Sequence, residues 1–392
     1  MTPRSPLTTT MNDGHQTELE LHASTGGLAA QKVAQLFEPA RLTQARVLAE
    51  LTKAELADLV HVSAAAIGQY EARAIVPRAD LLPVLARVLG VPVEFFAAGR
   101  PLGRVDAADA HFRSLRSTRA KDRAKATTHA EQVWELTNAL EKRIRLPEVD
   151  LPEIPEGSTP AAAAQLLRTA WEIGHGPLAH LVATMEARGI IVSLISLTDE
   201  AVTRVSAYST WVTDRPLVIV TPERASSVYR YRFTCAHELG HLLLHPNPLP
   251  GDRRQEREAD EFAAEFLTPH AEIEPLLPRT MRLAVLGQLS QTWGVSTESL
   301  VRRMGECRVV SDISVRRAYQ RLSKLANLRH DEPVTSFRGE VPSLMREAFA
   351  LAERYGLTRA ELATELCWTT RHLSEILGED DPRPKLRVIR SA

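Results

Sequence analysis

The chain has 392 residues, with 48 Lys+Arg against 49 Asp+Glu, and 44% of its residues are hydrophobic. That length suits about two to four globular domains, and the balanced charge excludes recognition by overall field, so a nucleic-acid or membrane partner needs a local patch. Its cysteines, Cys235, Cys307 and Cys367, are far apart and form no C-x-x-C pair, which excludes a disulfide scaffold or Cys-rich zinc module and fits a reducing cytosol.

Residues 1–30 read as a disordered tail, because they lack the apolar core of a secretory signal. The most apolar stretch of the chain, Gly189 to Leu197, is only strand length. A soluble, cytoplasmic protein with no membrane partner is therefore expected. Residues 31–103 read as a compact all-helical domain. A helix spans Arg41–Glu50, and Thr52-Lys53-Ala54-Glu55 is a capping box opening a second one. Ser63 caps a third helix over Ala64–Arg73, and a fourth over Leu81–Leu89 stops at Gly90. Leu56, Ala57, Val62, Ile67 and Leu85 are placed to close one small core.

The run from Leu51 to Pro77, L-T-K-A-E-L-A-D-L-V-H-V-S-A-A-A-I-G-Q-Y-E-A-R-A-I-V-P, resembles the Xre/Cro–repressor type of helix-turn-helix. The resemblance implies a recognition helix in the major groove of double-stranded operator DNA, usually presented by a homodimer. Lys53, Ser63, Ala64, Ala65 and Gln69 are the expected DNA-binding residues. Only Gln69 could make a bidentate base contact, and an alanine could touch a thymine methyl. The resemblance also implies that Glu71 braces the fold.

Residues 104–160 form a basic segment, a helix and a Pro-rich linker. Seven Lys/Arg lie between Arg104 and Lys125, against three Asp, and they could supply phosphate contacts. An amphipathic helix is expected over Ala130–Arg145. Leu146 to Pro160, with four prolines, is a linker or an extended crossing segment.

Residues 161–310 alternate helices (Ala161–Trp171, Leu178–Arg188) with β-rich runs (Ile190–Leu197, Val205–Val212, Leu217–Thr221), before long helices over Ser226–His245 and Glu256–Leu267. The overall class is mainly α with an α+β centre. In Phe233 to His245, F-T-C-A-H-E-L-G-H-L-L-L-H, the two histidines of H-E-x-x-H fall one turn apart on one helix face. Two neutral imidazoles at that spacing can grip Zn²⁺, and Glu238 can reach its water as general base. The motif arises by chance in about one chain of this length in a hundred, so a third ligand decides.

On the next helix, Glu258, Glu261 and Glu265 fall on the solvated face, whereas Glu256 and Asp260 lie on the apolar stripe with Ala259, Ala263 and Phe266. Inward carboxylates cost several kcal/mol unless paired or bound to a cation. The economical account makes Glu256 the third metal ligand and lets Asp260 accept the free N–H of a ligating histidine. The competing account satisfies both with Arg230 or Arg232. His245 lies further along the histidine face, too far to complete a tetrahedral site. Gly240, costly inside a helix, implies close approach of another element.

R-F-T-C-A-H-E-L-G-H-L-L-L-H followed by E-R-E-A-D-E-F-A-A-E-F-L-T-P resembles the ImmA/IrrE family of zinc metallopeptidases, with a zincin-like domain and a small sheet. Carried over, the family's ligands fall on His237, His241 and Glu256, with Glu238 catalytic and Asp260 behind a ligand. Thr268 stands where the family commonly has Met. The resemblance implies hydrolysis of a peptide bond in a repressor or similar protein. Mn²⁺ or Fe²⁺ could replace zinc on such a donor set. Tyr229, Tyr231 and His245 are candidates for oxyanion stabilisation. An alternative function is a one-component transcription factor, or an antitoxin-like regulator, whose metal domain senses a ligand without proteolysis.

Residues 311–392 read as a C-terminal helical region. Leu357-Thr358-Arg359-Ala360-Glu361-Leu362-Ala363 echoes Leu51-Thr52-Lys53-Ala54-Glu55-Leu56-Ala57, and two helices with a turn follow in both places. A second helix-turn-helix, or merely two capped helices of similar design, would account for the echo.

Overall fold

A computed structural model describes residues 29–105, 111–112, 120–194, 207–220, 227–246, 252–325 and 339–378. Spatial contacts divide the chain into two units, residues 1–100 with 363–369, and residues 101–362 with 370–392.

In the first unit a helical turn over 29–35 precedes the helices Pro39–Leu48, Lys53–Leu59, Ala64–Glu71 and Leu82–Leu89. Local chemistry sets their ends. Thr52 Oγ1 accepts from Glu55 N at 3.2 Å, while Thr52 N donates to Glu55 Oε2 at 2.7 Å, the two halves of a capping box. Ser63 Oγ accepts from Ala66 N at 3.1 Å. The first of these helices begins and ends two residues earlier than the sequence suggests. Glu38 caps its start, and Glu50 adopts a left-handed φ of 58° that a helix cannot accommodate. Leu42, Leu56, Ile67, Leu85, Phe95 and Phe96 fill the core. Val62, expected inside, is only half-buried, because it sits in the turn.

The second unit holds a four-stranded sheet of β1 (His111–Phe112), β2 (Ile191–Leu194), β3 (Ala207–Val212) and β4 (Arg215–Val220), in the order β1-β3-β4-β2. β3 and β4 pair antiparallel through the tight turn Thr213-Asp214, where Thr213 takes a φ of 56°. β2 runs parallel to β4, with Ile191 opposite Leu217, so a crossover joins them. Parts of the expected strands (195–197, 205–206 and 221) lie outside the described residues, as does most of the expected disordered tail.

Helices surround this sheet. Ala120–Glu141 starts ten residues before the expected helix and takes in the end of the basic stretch. Pro160–Ala170 and Leu181–Ala187 follow, then the two long helices Val228–Leu244 and Arg253–Leu267. Leu283–Trp293, Thr297–Glu306 and Asp312–Leu325 continue the unit. The proline-rich stretch before Pro160 crosses the domain in extended form: Asp150 N donates to Arg188 O at 3.1 Å, and Trp171 Nε1 to Asp150 O at 2.8 Å. Met185, Val218, Cys235, Leu239, Phe262 and Phe266 share one continuous core.

Three buried arginines fix the two long helices. Arg232 on Val228–Leu244 donates to Leu178 O and to Gly294 O (2.9 Å) and pairs with buried Glu340. Arg168 donates to Phe266 O at 2.7 Å. Arg303 donates to Thr268 O and pairs with Glu265. Such hydrogen bonds to orphan carbonyls are what makes burial of a guanidinium tolerable. Among the described residues, no helix is long and apolar enough to cross a membrane.

Candidate metal centre

The Val228–Leu244 helix places His237 and His241 one turn apart, both buried. Gly240, between them, lets the Arg253–Leu267 helix approach: a Cβ there would lie 2.9 Å from Phe262 Cδ1. That approach carries Glu256 to the histidines. His237 Nε2 lies 3.1 Å from His241 Nε2 and 3.5 Å from Glu256 Oε2, and His241 Nε2 lies 3.7 Å from Glu256 Oε1. A tetrahedral zinc, with bonds of about 2.0–2.2 Å, separates its ligand atoms by roughly 3.3–3.6 Å. These three donors therefore fit one metal ion, and among the described residues they form the only His/Cys/Asp/Glu group that could hold one.

Asp260, one turn beyond Glu256, has Oδ1 2.8 Å from His237 Nδ1 and Oδ2 3.6 Å from Arg302 Nη1. A proton on His237 Nδ1 donated to this carboxylate leaves the Nε2 lone pair toward the metal position. His241 is backed by a longer chain. Its Nδ1 lies 3.0 Å from His245 Nδ1, His245 Nε2 lies 3.0 Å from Glu258 Oε2, and Arg254 Nε donates to Glu258 Oε1 at 2.7 Å. The network assigns the protons: Glu258 takes the Nε2–H of His245, whose Nδ1 then accepts from His241. Burial lowers the His245 pKa, against the opposing pull of Glu258.

Glu238 is fully buried, and Ser209 on β3 donates from Oγ to its Oε2 at 2.9 Å. The sheet thus reaches the helix at the residue next to His237. No spacing rule connects positions 209 and 238, so sequence reading misses Ser209.

Two expectations on this face change. Glu265 is not solvated. It is buried, pairs with Arg303 and accepts from Gln165 Nε2 and His270 N, both at 3.1 Å. Glu258, expected to face solvent, is partly covered and belongs to the His245 chain. Arg232, the alternative partner for the inward carboxylates, is committed to Glu340, and Arg230 is exposed. Of the oxyanion candidates, Tyr231 is buried in the core, where burial pushes its pKa up, and His245 is engaged as above.

In the first unit Lys53, Ser63, Ala64, Ala65 and Gln69 are all exposed. Ser63 serves as a cap, and Lys53 Nζ lies 3.2 Å from Glu71 Oε2. Arg46 Nε donates to Glu71 Oε1 at 2.6 Å, so Glu71 ties the first helix to the third. Arg113, Arg116 and Arg119 of the basic stretch lie outside the described residues.

Fold and site together define a helix-turn-helix unit and a metallopeptidase-like unit in one chain. Residues 185–304 match the family model of the IrrE N-terminal-like domain, a peptidase family, and residues 40–97 match that of a helix-turn-helix domain. The chain thus joins a helix-turn-helix domain to an IrrE N-terminal-like domain of the ImmA/IrrE type. No curated protein matches it.

Proposed function

We propose that this chain is a DNA-binding transcriptional regulator whose peptidase domain hydrolyses a peptide bond in a repressor or similar protein. His237, His241 and Glu256 hold a zinc ion, Glu238 is the general base, and Asp260 orients His237. The observation that carries this reading is the convergence of three donor atoms beside Glu238, each donor histidine backed by its own carboxylate chain. In the same reading residues 31–103 bind operator DNA as a homodimer through Lys53, Ser63, Ala64, Ala65 and Gln69. Residues 161–310 make up the peptidase part, 104–160 connect the two, 311–392 form the C-terminal helical region, and the protein works in the cytoplasm.

When bound, zinc supplies Lewis-acid polarisation of the scissile carbonyl and of water. Glu238 takes the proton from the attacking water and returns it to the leaving amine. Ser209, bonded to Oε2, fixes the carboxylate so that its basic oxygen keeps one orientation through both transfers.

The complete burial of Glu238 favours a second reading, in which the metal domain senses a ligand and does not turn over. Promoter control separates the two. The peptidase reading expects the Glu238→Gln variant to bind metal and DNA yet fail to switch transcription. Equal control by wild type and Glu238→Gln would support the sensor.

A further inference from the structure

The echo between Leu51 and Leu357 extends well beyond seven residues. At a constant offset of 306 positions, the helices Pro39–Leu48, Lys53–Leu59 and Ala64–Glu71 correspond to Leu344–Arg354, Arg359–Leu366 and Thr370–Ile376, with no insertion between them. The irregular positions repeat too. Glu50 and Gly356 are both left-handed (φ 58° and 97°), as are His61 and Cys367 (56° and 52°). Thr358 and Glu361 rebuild the capping box of Thr52 and Glu55, with Thr358 N donating to Glu361 Oε2 at 2.8 Å and Thr358 Oγ1 accepting from Glu361 N at 3.2 Å. The turn closes identically: Val62 N donates to Ala57 O at 3.0 Å, and Trp368 N to Ala363 O at 2.8 Å. Non-glycine residues enter the left-handed region at a steric cost, so its recurrence at one register marks one designed turn.

Burial repeats with the backbone. Leu56, Ala57 and Ile67 are buried, and so are Leu362, Ala363 and Leu373. Residues 369–375 follow the same order of exposed, half-buried and buried positions as residues 63–69. The outward slots differ in chemistry. Where the first motif has Ser63, Ala64 and Ala65, the later one has Thr369, Thr370 and Arg371, and Arg359 stands for Lys53.

We propose that residues 344–377 form a second helix-turn-helix that reads double-stranded DNA, with Thr370 and Arg371 facing base edges. The proposal rests on the reading of the first motif as a DNA binder. Residues 39–71 carry three basic and four acidic side chains, and residues 345–377 carry four and five, so both motifs have the same charge balance. Arg371 adds the fork that matches guanine O6 and N7, which the first motif lacks. Its side chain is 86% exposed and, among the described residues, pairs with Glu375 (3.0 Å), a surface pair that DNA can replace at little cost. The exposed slots hold Thr, Thr, Arg and Glu and no apolar group, which is the wrong chemistry for the core of a protein interface.

The test is selection of duplexes from a random library by the full-length protein. Wild type should select two sequence elements, one containing guanine. Arg371→Ala should lose the guanine preference and weaken binding about tenfold or more, leaving the other element intact. Lys53→Ala with Gln69→Ala should affect only that other element. Circular dichroism checks that each exposed-site variant is folded. If Arg371→Ala selects the same sites with the same affinity as wild type, the second motif does not read DNA, while the first reading stands. Loss of self-association in Arg371→Ala with DNA selection unchanged would assign the face to protein contact and overturn the proposal. Absence of any selected duplex for wild type would overturn both.

Discussion

Phe262 occupies the space that a side chain at Gly240 would need, 2.9 Å from where its Cβ would stand. The glycine costs helix stability of about 1 kcal/mol and in exchange lets the histidine helix and the glutamate helix touch. Gly240→Ala should push the helices apart, lowering stability by about 1–3 kcal/mol in urea titration. It should also weaken metal binding more than an alanine at exposed Glu261 does. Unchanged metal affinity would show that the close approach does not set the site.

Asp260 meets the donor histidine His237 directly, at 2.8 Å. Asp260→Asn should keep the fold and reduce metal affinity by about 10- to 100-fold in competition with a chelator. Glu238→Gln should leave the metal content at one ion per chain.

Much of this was legible because its causes are local. Capping at Thr52 and Ser63 acts over three residues, and the pairing of His237 with His241 acts over four, so sequence spacing carries both. Glu256 and Asp260 were legible as carboxylates on an apolar stripe. Glu265 was not, because a helical wheel knows only its own helix. The partner that makes its burial tolerable, Arg303, comes from another helix 38 residues on. Ser209, the parallel register of β2 on β4, and the Arg232–Glu340 pair all depend on tertiary arrangement that no local period encodes.

That Arg303–Glu265 pair gives a stability prediction. Arg303→Met leaves a buried carboxylate without its cation and should cost about 3–5 kcal/mol. Replacing the pair together, Arg303→Met with Glu265→Leu, should recover part of the loss. A single-variant cost below 1 kcal/mol in denaturant titration would show that Glu265 is not buried in solution.

His129 predicts a pH dependence. It is buried against Ser193, with Nε2 3.2 Å from Oγ, and burial, aided by His372 and Lys125, lowers its pKa to about 3. The folded state therefore binds fewer protons than the unfolded state between about pH 6.5 and pH 3. Stability should fall as pH drops through that window, by up to about 1.4 kcal/mol per pH unit from this group. The His129→Gln variant should show a shallower acid slope than wild type. Identical slopes would mean that His129 is solvated.

Cleavage of a protein is the central claim, and the appearance of new protein N-termini in cells is its most direct measure. Cells expressing wild type or Glu238→Gln should be compared with and without DNA damage or oxidative stress. The account predicts at least one terminus, from a repressor or from this chain itself, that appears with wild type and is absent with Glu238→Gln. The same termini in both under every condition would contradict it and leave the metal site as a ligand sensor.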